Sequence, residues 1–585
     1  MDIQTADILL ALSKHPDARQ RDLARLANCA VGTVNKEIQF LQMSGFISAA
    51  NRLTEKADEF LKKGRPRTAV ILAAGFGMRM VPINFETPKA FLEVRGEKLI
   101  ERQIRQLRDA GIREIHIVVG FMKERFEYLM DQYGVDLIVN PEYAVKNNLH
   151  SLYLARNYLS NCYVVPSDVW CENNPFRQNE ICSWYMVSDR RDDTSGVRVN
   201  RRKELVSCRN AGNAMVGIAY LTGEICSTLM KRLETYNENP KHDSDFWESA
   251  LVEHNQFCIP ARVIPASTVA EINTYEQLRD FDEKSEQLNS KAIDTITGVF
   301  SCEANEVKNI TVLKKGMTNR SFLFMVGDNR YIMRIPGEGT DHLISRRQEA
   351  EVYQVIRGKG LCDDPVYINP ENGYKITKYL TGVRTCDPAD DADLNKCMKK
   401  LRDFHAMKLS VTHTFDLFEQ IRFYEDLWNH MPSMYQDYTI TKANVFKLKP
   451  FVDSQAGDYC LTHIDAVPDN FLFYKDASGN EQLQLTDWEY AGMQDPHVDI
   501  AMFCIYSLYD RRQVDHLIDL YFEGKCPVAT RCKIYCYIAI CGLLWSNWCE
   551  YKAHLGVEFG EYSLRQYRYA KDYYKLAVSQ MENLK

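Results

Sequence analysis

Over the first 66 residues, apolar side chains return every three or four positions at Ala6 to Leu12, Arg21 to Leu26 and Val31 to Met43. That is the period of helices with one buried face. A Gly45-Phe46-Ile47 break leads to a short hairpin-like piece ending near Leu53. After the linker Gly64-Arg65-Pro66-Arg67 the pattern changes. Short apolar runs at Ala69–Leu72, Ile115–Val119, Asp136–Val139 and Cys162–Pro166 alternate with helical spacing at Leu99–Ala110 and Met122–Tyr133. The alternation predicts a doubly wound, parallel α/β sheet that binds ligands at the carboxyl ends of its strands. A charged helical stretch from about 282 to 298 links to two alternating strands, NITVLKKGMTNRSFLFMV and RYIMRIPG. A helical RRQEAEVYQVI, a hinge-like YKITKYLTG and a run of helices complete the chain. Three domains are expected: 1–66, small and α+β; 67–290, α/β; and 291–585, a two-lobed α+β domain.

Composition narrows the function classes. At 585 residues the chain exceeds one core. The 45% hydrophobic and 26% charged content is that of globular enzymes. A net charge of −7 argues against a protein made to coat nucleic acid. The longest apolar run, Tyr537 to Trp545, is half of the roughly 18 residues a span needs, and Ile8 to Leu12 is too short for a signal peptide. No membrane span is expected. Eighteen cysteines form no Cys-x-x-Cys pair, which predicts buried reduced thiols in a cytoplasmic protein.

Chemistry concentrates first at TAVILAAGFGMRMVPINFETPKAFL. A buried strand loses all bulk at Ala73, Ala74 and Gly75, and Gly77 follows, so backbone N–H groups can approach phosphate. The cations Arg79 and Lys89, the latter behind Pro88, suit a nucleoside triphosphate that must lose pyrophosphate. The third glycine of a dinucleotide fingerprint is missing, as is the Gly-Lys-Ser/Thr of a P-loop. LAAGFGMR…TPKAFLEVRG resembles the signature of nucleotidyltransferases that activate sugar phosphates and phosphocholine. Asp168, at the end of the apolar strand in YVVPSDVW, faces the glycine loop in such a sheet and suits Mg²⁺. The resemblance gives the matching aspartate that role, and VAEINTYEQLRDF nominates Glu271 as second carboxylate, with Asp245 in reserve. It also sets Asn147, Asn148 and Ser151 along the site. Trp170, Trp184, Tyr185 and Trp247 are candidates for holding a quaternary ammonium.

The N-terminal ARQRDLARLANCAVGTVNKEIQFLQMSGFI resembles a winged helix-turn-helix with Val31 to Met43 as recognition helix. Ten Lys and Arg against eight Asp and Glu over residues 1–65, with Lys36 the recognition helix's only cation, argue against DNA binding. The unit is expected instead to dock on the catalytic domains or a second subunit through Phe40, Met43 and Phe46.

In the third domain the Gly316-Met317-Thr318-Asn319 turn predicts a hairpin that covers phosphates. Arg334 stands where protein kinases place a lysine, and Glu349 is its expected partner. LTHIDAVPDNFLF supplies Asp465, with Asn470 five residues on, and LTDWEYAG supplies Asp487 and Glu489. Phosphoryl transfer needs a carboxylate to accept the hydroxyl proton, for which Asp465 serves, and oxygen ligands for Mg²⁺, for which Asn470, Asp487 and Glu489 serve. His463 supports the loop. With DWEYAG…DPHVDIA and the late helices, the domain resembles choline/ethanolamine kinases, a branch of the aminoglycoside phosphotransferase group. In those kinases the indoles matching Trp545 and Trp548 pack on the trimethylammonium group. The expected further cage tyrosine is replaced by Leu564, for which Tyr562 or Tyr567 would substitute.

Together these readings imply a bifunctional enzyme. Choline and ATP would give phosphocholine, which CTP would convert to CDP-choline and pyrophosphate. Three alternatives stay open: an ethanolamine- or aminoethylphosphonate-directed version, a sugar kinase fused to a sugar-nucleotide pyrophosphorylase, and a metabolite-sensing DNA-binding regulator. A homo-oligomer is also left open.

Overall fold

The structure is a computed structural model. It describes residues 1–584 except 86, 201, 209, 254–255, 314–318, 338–342, 363, 429–430, 456, 458, 477 and 558. The chain divides into two compact units, Met1–Thr295 with Ile310–Val312, and Ile296–Asn309 with Leu313–Lys585.

The first unit opens with helices Ile3–Lys14, Gln20–Leu26 and Val31–Met43. Their buried faces meet around Leu9, Leu12, Leu23, Val34, Ile38 and Leu41. A single bridge pairs Ile47 with Leu53. A fourth helix, Glu55–Lys63, was not expected; its signal is Thr54, whose side chain accepts from the Ala57 N–H as an N-cap.

These helices do join the α/β part, but by another face than expected. Asp7 on the first helix meets Arg177 at 2.6 Å and Arg262 at 3.6 Å. Ile181 enters the helical core, and the Tyr220 hydroxyl donates to the Gly64 carbonyl at 2.8 Å. Phe40 and Met43 are 48% and 88% exposed, while Phe46 packs on Phe60 at 5.2 Å. Helical period alone says which residues share a face, not which face meets a neighbour.

The α/β sheet places side by side the strands Asp136–Val139, Glu114–Val119, Thr68–Ala73 and Cys162–Pro166, all parallel. Every residue of Thr68–Ala73 is buried, as a strand flanked on both sides requires. Beyond it Gly212–Leu221 runs antiparallel to Cys162–Pro166, followed by Trp184–Asp192 and Gln256–Ile264. The sheet is therefore mixed, not wholly parallel. A separate ribbon pairs Val269–Glu271 with Val169–Cys171.

The second unit has a small sheet in which Asn329–Pro336 lies between Asn319–Val326 and Lys375–Lys378, with helix Arg346–Ile356 following. The larger lobe is helical. Its Val528–His554 helix is 27 residues long and apolar enough to cross a membrane, but 78% of its most apolar window is buried in the fold. It is a core helix. Glu561–Asn583 lies along it so closely that a Cβ at Gly542 would sit 2.8 Å from the Gln566 carbonyl oxygen.

Candidate active sites

The first site gathers at the carboxyl end of Thr68–Ala73. The backbone turns at Gly77, where φ is +65° and a Cβ would lie 3.0 Å from the Lys89 Cγ. Glycine is needed twice over there, for the left-handed backbone and for the lysine stem. Lys89 Nζ donates to Asp168 at 2.7 Å and to Asn273 Oδ1 at 2.6 Å, and Arg79 donates to the same Asn273 oxygen at 3.0 Å. Asp168 lies beside Glu271: Val169 pairs with Glu271 across the ribbon, and the Ile272 N–H donates to the Asp168 carbonyl at 3.0 Å. Burial and then the charge of Asp168 push the Glu271 carboxyl above its ordinary range. Two crowded carboxylates are the hard oxygen donors that would suit Mg²⁺ carried by a nucleotide. No group of three or more His, Cys, Asp or Glu able to hold a metal alone occurs among the described residues.

The other candidates of this domain are employed elsewhere. Trp184 is fully buried beneath the Arg262 guanidinium, 3.9 Å from its ring, and Trp247 is 1% exposed. Both are core side chains, Trp184 on the buried start of its strand and Trp247 in a short helical turn packed 6.0 Å from Tyr185, and neither serves as an open cage wall. Trp170 is covered by Arg95 and Arg102. Asn147 caps a helix, Asn148 accepts from the Trp247 N–H, Ser151 accepts from Asn140, and Asp245 pairs with His242. A residue not anticipated is Glu248. One of its oxygens accepts from the Tyr185 hydroxyl at 2.9 Å, and the other has no hydrogen-bond partner among the described residues. Burial is the main cause of its carboxyl being pushed up to about 7, and Glu271 adds to the rise. The only sequence signal was its place next to a tryptophan.

The second site lies in the other unit. Gly316 and Thr318 fall outside the described residues; Asn319 begins the Asn319–Val326 strand and donates to Glu489 Oε2 at 2.9 Å. Arg334 and Glu349 form a buried two-pronged pair at 2.5 and 2.8 Å. Arg346 and Lys375 each reach Glu349 at 3.4 Å, and Arg346 stands 3.6 Å from Glu489. Burial alone would raise the Glu349 carboxyl, but Lys375, Arg334 and Arg346 hold it down to about 2.

Asn470 Nδ2 donates to Asp465 at 3.0 Å, and the Thr486 N–H donates to the Asn470 carbonyl, so the two acidic segments are tied. Burial, then Asp487 and Glu489, push the Asp465 carboxyl up to about 8. His463 is buried and bonds the Thr486 carbonyl, a supporting role. The loop carries strain at Ile464, whose φ of +69° is an outlier for a β-branched residue. Asp499 holds it there, accepting from the His463 and Ile464 N–H groups at 3.0 and 2.7 Å, and is itself bonded by His405 at 2.9 Å. Asp499 was visible only as part of DPHVDIA.

Beside this cluster the Trp545 and Trp548 rings stand 5.7 Å apart, 6% and 8% exposed. Tyr490, in the same loop as Asp487, meets Trp545 edge-on at 5.9 Å. Phe559 lies 5.2 Å from Trp548, and Tyr562 meets Phe559 and Tyr506. Tyr567 is bonded to Asp437 and Thr441 and stacked on Tyr435, so it does not join the run. Leu564 is 53% exposed.

Residues 69–175 match the family described as the MobA-like NTP transferase domain, and residues 310–518 match choline/ethanolamine kinase. The choline-phosphate cytidylyltransferase of Streptococcus pneumoniae is 29% identical over 37% of this chain and 96% of its own. The 2-aminoethylphosphonate cytidylyltransferase of Lancefieldella rimae is 30% identical over 37% of this chain and 91% of its own. Protein LicA of Haemophilus influenzae is 27% identical over 43% of this chain and 76% of its own.

Proposed function

Because the chain belongs to the cytidylyltransferase family and joins that domain to a choline/ethanolamine kinase domain, we propose that it converts choline to CDP-choline in two steps. The choline hydroxyl attacks the γ-phosphorus of ATP, and Asp465, oriented by the Asn470 amide, accepts its proton. Arg334, anchored by Glu349, steadies the nucleotide phosphates, and Asn470, Asp487 and Glu489 would hold Mg²⁺. In the other unit a phosphocholine oxygen attacks the α-phosphorus of CTP and pyrophosphate leaves. Lys89 and Arg79 offset the developing charge, and the N–H groups from Ala73 to Gly77 line the phosphates. Asp168 and Glu271 would hold Mg²⁺ there. When bound, the ion at either site supplies charge neutralisation to the phosphates. Glu248 is the carboxylate suited to the head group's cation.

The observation that carries the choline assignment is the contact of Tyr490 with Trp545, which joins the aromatic run to the loop of Asp487 and Glu489. Indole faces attract a cation that cannot donate hydrogen bonds. Choline, ATP and CTP supplied to the purified chain should yield CDP-choline; formation of neither phosphocholine nor CDP-choline would sink the reading. The central domain's 30% identity to an aminoethylphosphonate enzyme favours one rival, so 2-aminoethylphosphonate belongs in the same assay. The first 66 residues we read as a winged-helix fold serving as a docking module, on the three helices, the Ile47–Leu53 bridge and the Asp7 contacts. The eighteen unbridged cysteines favour a cytoplasmic setting.

A further inference from the structure

One ammonium group of the kinase unit has no part in the chemistry above. Lys552 lies one turn beyond Trp548 on the Val528–His554 helix, so Trp545, Trp548 and Lys552 share one face. It is 8% exposed, with Nζ 5.8 Å from the Trp548 ring and 5.9 Å from the Tyr551 ring. Its ammonium has no hydrogen bond or ion pair among the described residues. The unit's other buried lysines are satisfied. Lys533 donates to Asp495 at 2.6 Å and to the Gln455 carbonyl at 3.1 Å, and Lys375 donates to the Tyr353 hydroxyl at 2.7 Å. The stem is largely covered, but Nζ is not shut off from solvent, so the ammonium is open to an anion that enters beside the indoles. Burial lowers the proton affinity of Lys552 and Glu489 partly restores it, so it lies within the field of the acidic cluster.

A cation beside a cage for a cation repels the head group unless an anion arrives with it. Choline brings none; the group transferred to it does. We propose that Lys552 is a catalytic residue that binds the phosphoryl group of phosphocholine as it forms. The inference rests on the reading of this unit as a choline kinase. In the step, the bond from the choline oxygen to the γ-phosphorus forms and the bond from that phosphorus to the ADP oxygen breaks. The hydroxyl proton passes to Asp465. Lys552 pairs with the negative charge left on the product.

Choline phosphorylation by the full chain, without CTP, is measured with phosphocholine added as product inhibitor. Lys552→Gln should weaken inhibition by phosphocholine roughly tenfold or more, the scale of one charge-assisted contact. It should lower kcat and leave the KM for choline unchanged or smaller, since a repelling charge is gone. Lys552→Arg should restore inhibition. If Lys552→Gln does not fold, Lys552→Met takes its place. Unchanged inhibition by phosphocholine, or an equal loss for choline and phosphocholine that arginine does not rescue, overturns the proposal. A wild-type chain that does not phosphorylate choline would instead overturn the functional reading beneath it.

Discussion

Glu349→Gln tests the buried ion network that steadies the kinase site. The Glu349 carboxyl is held at about 2 against an ordinary 4.5, by Lys375, Arg334 and Arg346 acting against burial. At 1.36 kcal/mol per unit of pKa the difference is about 3 kcal/mol, the low end of the range for breaking a buried ion pair. A low-end value is sensible, because Glu489 still faces Arg334 at 3.9 Å and Arg346 at 3.6 Å after the change. Since the folded carboxyl ionises more readily than the unfolded one, its contribution is complete above pH about 4.5 and fades as pH falls towards 2. The variant's unfolding free energy should therefore drop by about 3 kcal/mol at pH 7, with the gap narrowing below pH about 4.5. Arg334 would keep only one of its two short bonds and face an NH2 donor in place of the other acceptor, and a misplacement of about 1 Å costs on the order of 10²-fold in rate. Choline phosphorylation, followed by ADP release, should fall by that order, while cytidylyl transfer to supplied phosphocholine continues. A variant within twofold of wild type in both rate and unfolding midpoint at pH 7 would refute the reasoning.

Asp465→Asn should fold normally but lower phosphocholine formation by at least ~10²-fold, with CDP-choline still made from supplied phosphocholine. Lys89→Ala or Asp168→Ala should abolish cytidylyl transfer and spare choline phosphorylation; loss of both activities in a folded protein would contradict the assignment of two sites. Trp545→Ala should raise the KM for choline by roughly 5–30-fold and the KM for ethanolamine by less, because ethanolamine's ammonium finds hydrogen-bond acceptors elsewhere. Equal effects on both substrates would return Trp545 to the core. The N-terminal unit should show no sequence-specific DNA binding near ~10⁻⁸ M by fluorescence anisotropy at moderate salt.

How far these sites could be read from sequence depended on how local their geometry is. Asp465 and Asn470 stand five residues apart in one loop, and Gly77 and Lys89 flank one turn, so spacing carried them. Arg334 and Glu349 were legible because a strand followed by a helix brings such a pair together. Asp499 and Glu248 were not singled out, since their value lies in what tertiary packing sets against them: two strained N–H groups for one, a tyrosine hydroxyl and a second acid for the other. Aromatic residues carried little information singly. Trp184 and Trp247 went to the core and Tyr567 to Asp437, while the i, i+3 pair Trp545 and Trp548 shares a face by helical geometry alone. The antiparallel half of the sheet escaped because strand direction is set by crossover connections, which apolar runs do not record.

The Val528–His554 helix has a consequence for the order in which the protein is made. It is about 40 Å long at 1.5 Å per residue, and it is buried on nearly every side. During synthesis it leaves the ribosome before Glu561–Asn583, the helix that lies against Gly542. For that interval a stretch apolar enough for a lipid bilayer stands partly uncovered in water. Chains cut short after Leu555 would remain in that condition, a substrate for chaperones and proteases, and a nascent chain is safe only when Glu561–Asn583 has closed over the seam.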